Sequence, residues 1–335
     1  MLFITNRRLV EGPRSQVGRV VHFDLGDNEP SASLFFCVRN GVDDMQELTA
    51  PVFLRRLRQS PRQQILFYVH GFNSLPERQI FPNATSLQAL CDKLAPSLIE
   101  VVPLVWPCDD DFGLLRDYWD DQAAADFSGL AFVRAIGKFL DWRDRKPEGQ
   151  PCLKHVNILA HSMGARVLRT AIEQWLHDYG APPSFMRNIF LVAPDIGNDS
   201  LEIDKPGGHL AEAARNLVVY FAHDDFALRT SKVMNLNNKV VRRRLGHAGP
   251  RDLAHTPRNV VAVDCDSFNN KIDLFGHSYF LGDRVDQPSP ALVHMVQAMQ
   301  TGRPPLASEE SRLVILPADY GRPFVATKAL AAPVG

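Results

Sequence analysis

Ala160-His161-Ser162-Met163-Gly164 is the stretch on which the reading of this chain turns. It follows the apolar run His155-Val156-Asn157-Ile158-Leu159. After it, Val167, Leu168, Ala171, Ile172, Trp175 and Leu176 recur at helical spacing. A serine with tiny residues two places away on both sides, at a strand-to-helix hinge, has the pattern of a nucleophile elbow. The turn is so tight that the serine backbone is strained and the hydroxyl is pushed out over the end of the sheet. Anything larger than Gly or Ala two places away would clash as the helix packs back on the strand. The first small residue is Ala160, one methyl larger than the usual glycine. The same pentapeptide also fits a plain small-residue turn in which Ser162 only caps the helix.

Outward from the elbow, short apolar β-branched runs bounded by turn residues occupy Ser33–Val38, Gln64–His70, Leu98–Trp106, Met186–Ala193, Asn216–Ala222 and Asn259–Asp264. Their near-continuous apolarity fits strands buried on both faces of a mainly parallel sheet. Helical patterns fall between most of them, at Thr85–Leu94, Ala123–Asp141, Gly164–Tyr179 and Leu210–Arg215. This alternation predicts one doubly wound α/β domain with helices on both faces. The runs Leu2–Thr5, Val17–Phe23 and Ser33–Val38 lie too close together for helical crossovers and predict an antiparallel edge. The Gly- and Asp-rich stretch between Ile196 and Leu210 is too short for a substantial lid. Residues 1–302 read as the domain. Residues 303–335, rich in Pro, Ala and Ser around the island Leu313–Leu316, read as a tail that drapes over the body or is partly mobile.

The composition is that of a globular protein: of 335 residues, 45% are hydrophobic and 22% charged, with a net charge of −1. That balance gives no whole-molecule attraction to nucleic acid or an anionic surface. No run approaches the ~20 apolar residues of a membrane helix, and the N-terminus places its apolar residues before its charges, the wrong order for a secretion signal. The five cysteines are scattered without CxxC spacing, so neither a metal site nor a disulfide framework is expected, and a cytoplasmic setting is the default.

A nucleophilic serine needs a base, an orienting acid and donors for the oxyanion. The strand Gln64–Val69 ends in His70-Gly71-Phe72-Asn73. The strand Asn216–Ala222 ends in His223-Asp224-Asp225, and Met186–Ala193 in Pro194-Asp195. His277 lies in the loop after the last strand, within Phe275-Gly276-His277-Ser278-Tyr279. His294 sits in the helical pattern Ala291–Met299, while His247 and His255 precede the last strand. Arg229, Lys232, Lys239, Arg242, Arg243, Arg244, Arg251 and Arg258 make a basic region that would either draw an anionic substrate or form a solvated surface.

These motifs resemble the α/β-hydrolase superfamily, especially a bacterial alpha/beta hydrolase family of unknown function. The matching pieces run from Thr5-Asn6-Arg7 through His70-Gly71-Phe72-Asn73, Val105-Trp106-Pro107 with Tyr118 and Asp121, Ala160–Gly164, Ala193-Pro194-Asp195, Tyr220 with Asp225-Phe226-Ala227-Leu228, and Gly276-His277-Ser278-Tyr279. The resemblance implies a triad in the chain order serine, acid, histidine: Ser162, Asp225 and His277. Asp224 is a close alternative acid, and Asp195 another, since some members take the acid from that position. It also implies that the backbone N–H groups of Phe72 and Met163 form the oxyanion hole. The long segment after Asn73 is expected to reshape the pocket mouth. The expected activity is a serine hydrolase (esterase- or lipase-like) acting on a small-molecule acyl ester, with no cofactor or metal. The alternatives are a non-catalytic binding member of the fold and an acyltransferase using the same triad.

Overall fold

The computed structural model describes residues 1–108, 114–144, 154–225, 243–273, 276–282 and 287–321. Most of the basic segment (226–242, including Phe226-Ala227-Leu228), the end of the tail and the side chains of Tyr118 and Asp121 lie outside the described residues.

Among the described residues ten strands form one sheet: β1 Leu2–Arg7, β2 Pro30–Gly41, β3 Asp44–Glu47, β4 Gln64–Val69, β5 Ile99–Val105, β6 His155–His161, β7 Met186–Val192, β8 Ala214–Phe221, β9 Val260–Asp264 and β10 Leu313–Ile315. Their order is β10-β9-β8-β7-β6-β4-β5-β1-β2-β3. Every pairing from β1 to β10 along that order is parallel, while β2 and β3 continue it antiparallel. The helices of eleven residues or more are α1 Thr49–Gln59, α2 Phe81–Leu94, α3 Leu114–Asp144, α4 Gly164–Tyr179 and α5 Pro290–Thr301.

Alternate residues of each strand enter opposite layers, as the strand period requires. Ile65, Phe67 and Val69 of β4 pack with α1, α3 and α4 side chains such as Phe53, Phe132 and Leu168. Leu66 and Tyr68 face the other layer, with Phe81 and Leu87 of α2 and Leu292 and Met295 of α5. Helices therefore cover both faces, which explains the nearly unbroken apolarity of the central strands. A row of buried amides crosses four of them. Asn216 donates to Asn188 Oδ1 at 2.7 Å, Asn188 to Asn157 Oδ1 at 2.7 Å, and Asn157 to Gln64 Oε1 at 3.0 Å. Gln64 then donates to the carbonyl of Met299 in α5 at 2.9 Å.

Several boundaries differ from the sequence-based expectation. Val17–Phe23 is not a strand; it lies against β3 through the isolated bridge Val20↔Gln46, the Gly18 N–H on the Glu47 carbonyl at 2.7 Å and the ion pair of Arg19 with Glu47, and it bridges back to Leu9 at Phe23. The pattern at Leu210–Arg215 is a single turn, His209–Glu212, because Ala214 and Arg215 already belong to β8. The segment after Asn73 is short: a π-helical turn at Pro76–Ile80 runs directly into α2. The island in the tail is β10, which adds to the sheet edge beside β9 and buries Val314 and Leu316.

Candidate active site

Chain direction along the sheet reverses between β4 and β6: β5 follows β4 on one side, and β7 follows β6 on the other. A crevice opens at the carboxyl ends of strands at such a switch point, where open α/β sheets bind ligands. Ser162 stands there, between β6 and α4, with φ +52°. An L-residue at positive φ costs about 1–2 kcal/mol. The surroundings impose it. The N–H of Ser162 donates to the carbonyl of Val192 at 2.9 Å, and its carbonyl accepts from the N–H of Asp195 at 3.1 Å. The end of β7 therefore clasps the turn. Gly164 lies so close to β4 that a Cβ there would stand 2.5 Å from the carbonyl oxygen of Val69 and 2.6 Å from that of His70. A Cβ on Gly71 would come within 2.9 Å of Ser162 Cβ, so the turn after β4 lies directly against the serine.

That turn is fixed by His70. Its Nδ1–H donates to the carbonyl of Gly71 at 2.8 Å, and Nε2 accepts the N–H of Trp106 at 3.1 Å. The indole of Trp106 stacks on the imidazole with centroids 5.0 Å apart and donates to the His70 carbonyl at 2.9 Å. One ring nitrogen gives and the other receives, so His70 is neutral; burial pushes its pKa down to about 3. It is a brace that holds the turn of Gly71 against the elbow. Met163 begins the first turn of α4 on the other side of Ser162 and is buried.

His277 donates from Nδ1 to Asp225 Oδ2 at 2.8 Å. The Asp225 side chain is fully buried and that of His277 is 13% exposed, enough for the imidazole edge to meet solvent or a ligand. Burial lowers the pKa of His277, but the charge and hydrogen bond of Asp225, with Asp195 and Asp273 behind them, outweigh it and leave the value raised. The three aspartates named from sequence separate by partner. Asp224 is held by the amides of Asn269, at 2.5 Å, and Asn270, away from the imidazole. Asp195 pairs with Arg244 Nε at 3.0 Å. Only Asp225 of the three has a described hydrogen bond to His277.

Two contacts at this site have no counterpart in the sequence reading. His161, the residue before the serine, packs its ring 4.7 Å from that of His277 and points Nε2 at the His277 carbonyl, 3.2 Å away. Asp273 Oδ2 accepts the N–H groups of His277 at 3.0 Å and Ser278 at 2.7 Å. An aspartate four residues before the histidine is a visible signal, but only once the histidine itself is known.

The remaining candidates are engaged elsewhere. His294 lies buried between the Tyr220 hydroxyl, 2.8 Å from Nδ1, and the carbonyl of Pro305, 2.9 Å from Nε2. His255 pairs with Asp252 at the surface. Of the basic region, Arg251 is forked on Glu202. A group of metal-ligand type, His223, Asp264 and Asp266, sits at the ends of β8 and β9 with its ligand atoms within 4.8 Å of one another. Asp266 there takes both the N–H and Nδ1 of His223, at 2.6 and 2.9 Å, and so clips the two strand ends together. An apolar cavity of about 50 Å³ lies between the sheet and the α1/α3/α4 layer. Its walls, among them Phe67, Phe132 and Leu168, are core side chains, so it is a packing gap away from the triad candidates. No described helix is long and apolar enough to cross a membrane.

A mainly parallel sheet covered on both faces, with a strained serine at its switch point and an acid–histidine pair in the segments that follow β8 and β9, is the fold of the alpha/beta hydrolases. Within that class, the chain belongs to the family described as alpha/beta hydrolase of unknown function (DUF900), whose model matches residues 46–293. No curated protein matches the chain in sequence. Among solved structures it is similar to the lin2722 gene product of Listeria innocua, at 10% identity and TM-score 0.34, covering 76% of this chain and 98% of that one. It is also similar to a lipase-esterase related protein of Clostridium acetobutylicum, at 9% identity and TM-score 0.29, covering 62% and 86%.

Proposed function

We propose that this protein is a serine hydrolase that cleaves an ester or related acyl bond of a small molecule through an acyl-enzyme on Ser162. Ser162 Oγ attacks the carbonyl carbon while His277 Nε2 takes its proton. Asp225 holds the imidazole by Nδ1–H, keeps Nε2 free to accept, and stabilises the imidazolium. The N–H groups of Phe72 and Met163 stabilise the oxyanion. Collapse of the tetrahedral intermediate passes the proton to the leaving alcohol, and water then releases the acid with His277 again as base.

One observation carries the reading: a buried carboxylate bonded to a histidine, beyond the same carboxyl ends of the strands that bear a serine at positive φ. The close approach of Gly71 to Ser162 supports the oxyanion assignment. Four buried cysteines that carry thiols rather than disulfides among the described residues support a reducing, cytoplasmic compartment. The test is labelling with a fluorophosphonate probe, which needs an activated serine but little substrate specificity. The native chain should label and Ser162→Ala should not. A folded native protein that stays unlabelled would refute the assignment.

A further inference from the structure

We infer that Asp273 is a positioning residue for the base, holding the peptide of His277 so that the imidazole is aimed independently of its bond to Asp225; the inference rests on the role proposed for His277. The geometry is specific. A single carboxylate oxygen, Asp273 Oδ2, accepts two successive N–H groups, those of His277 and Ser278. On the other side of the same residue, the carbonyl of His277 accepts from His161 Nε2 at 3.2 Å. His161 is buried, which holds its pKa well below the usual histidine value. A neutral ring facing a carbonyl through Nε2 carries its proton there, so it is a donor. The base is thus gripped at three points: its N–H by Asp273, its carbonyl by His161 and its ring by Asp225.

This grip adds to the anchors that hold the rest of the loop, the buried Tyr279, whose hydroxyl donates to the Tyr220 carbonyl at 3.0 Å, and the Gly276 N–H, which donates to the Asp273 carbonyl at 2.7 Å. His277 follows only a one-turn helix, Asn269–Ile272, and side-chain aim within a fraction of an ångström decides the rate of proton transfer. Successive N–H groups on one carboxylate fix two peptide planes, hence the φ and ψ that set the direction of the His277 side chain.

Asp273 has an electrostatic effect as well. Among the described residues, the charged and titratable groups that face His277 are Asp225 after β8, Asp195 after β7 with its partner Arg244, His161 at the end of β6, and Asp273 in its own loop. Asp273 adds negative charge to this set and favours the imidazolium that forms during attack.

Two variants separate aim from charge. Asp273→Asn keeps an oxygen for both N–H groups and removes the charge; Asp273→Ala removes both. The measurement is the rate of fluorophosphonate labelling from pH 5 to 9, with the His277 imidazole signals followed by NMR over the same range. Asp273→Asn should retain the native plateau to within about fivefold, with its acid limb and the His277 titration both moved to lower pH. Asp273→Ala should lose on the order of 50-fold or more and broaden the Nδ1–H resonance shared with Asp225. Asparagine rescue of the alanine loss marks aim; a role in fold stability alone would lower the melting temperature and leave the labelling profile and NMR titration in place. Native labelling with both variants indistinguishable from wild type overturns the inference while the hydrolase reading stands. If the native protein fails to label, the hydrolase reading falls, and the NMR titration alone decides whether Asp273 orders His277.

Discussion

Replacing Asp225 by asparagine keeps the size of the side chain and removes its charge. In the native protein the carboxylate lies 2.8 Å from His277 Nδ1 and is fully buried. The centres of the carboxylate and imidazolium are then roughly 4 Å apart, which at an effective dielectric constant of about 20 is worth about 4 kcal/mol. That stabilisation exists only once the imidazole has taken the serine proton, so its loss falls on the transition state. At about 1.4 kcal/mol per factor of ten, the labelling rate should drop by about 10³. The neighbour offers no rescue, because both carboxylate oxygens of Asp224 are already held by Asn269 and Asn270. Asp224→Asn should therefore change the rate by no more than a fewfold. The assay is second-order labelling by a fluorophosphonate at pH 8, with circular dichroism to establish that each variant is folded. Equal losses in the two variants, or more than a tenth of the native rate surviving in Asp225→Asn, would refute the assignment of Asp225 as the orienting acid.

Gly164→Ala places a methyl 2.5 Å from a backbone carbonyl that cannot move without moving β4. The overpacking should cost about 1–3 kcal/mol. For a chain of 335 residues this is a fall in melting temperature of about 1–4 °C, measurable by calorimetry; an unchanged value would mean that α4 packs less tightly than the contact implies. His70 is held from its ordinary value of 6.5 down to about 3, and burial lowers His294 to about 4. The unfolded chain takes up these protons below pH 6.5 while the folded chain does not, so stability is complete above 6.5 and falls as the pH drops toward 4. His277, whose value is raised, acts in the opposite sense: its contribution is present below 6.5 and fades as the pH rises through its folded value. The lowered pair dominates, and the guanidinium midpoint should decline steadily from pH 7 to 4.5. A flat midpoint would show that neither histidine is excluded from protonation in the native state.

The elements best legible in the sequence were those whose burial is one-sided or complete. The helix Gly164–Tyr179 follows from its period, and the central strands from apolar runs that helices cover on both faces. The helix Thr49–Gln59 is poorly legible because Pro51 and three arginines dilute its pattern, although Phe53, Leu54 and Leu57 form its buried stripe. Val17–Phe23 has strand-like composition, but nothing in sequence shows that its neighbours along the edge would pair with one another instead. In the site, serine and histidine stood out through spacing and order. The choice among Asp195, Asp224 and Asp225 did not, since strand-end aspartates look alike until Arg244, the two asparagines and His277 claim one each. The grips of His161 and Asp273 on His277 arise between segments more than a hundred residues apart in one case and within one loop in the other. Neither has a compositional signature.

The amide row through Asn216, Asn188, Asn157 and Gln64 has a direction: each carboxamide gives to the next, starting at Asn216 and ending on the backbone of α5. A strand displaced by one residue would turn its amide to the opposite layer and leave two neighbours unanswered in an apolar interior. A displacement by two would break the same pair of links. The row thus acts as an alignment key for four parallel strands that hydrophobicity alone, being nearly uniform along them, would align poorly. It lies toward the amino ends of the strands, while Ser162 and Ala193 hold positive φ at the carboxyl ends. Alignment is enforced at one margin of the sheet, and conformational tension is tolerated at the other.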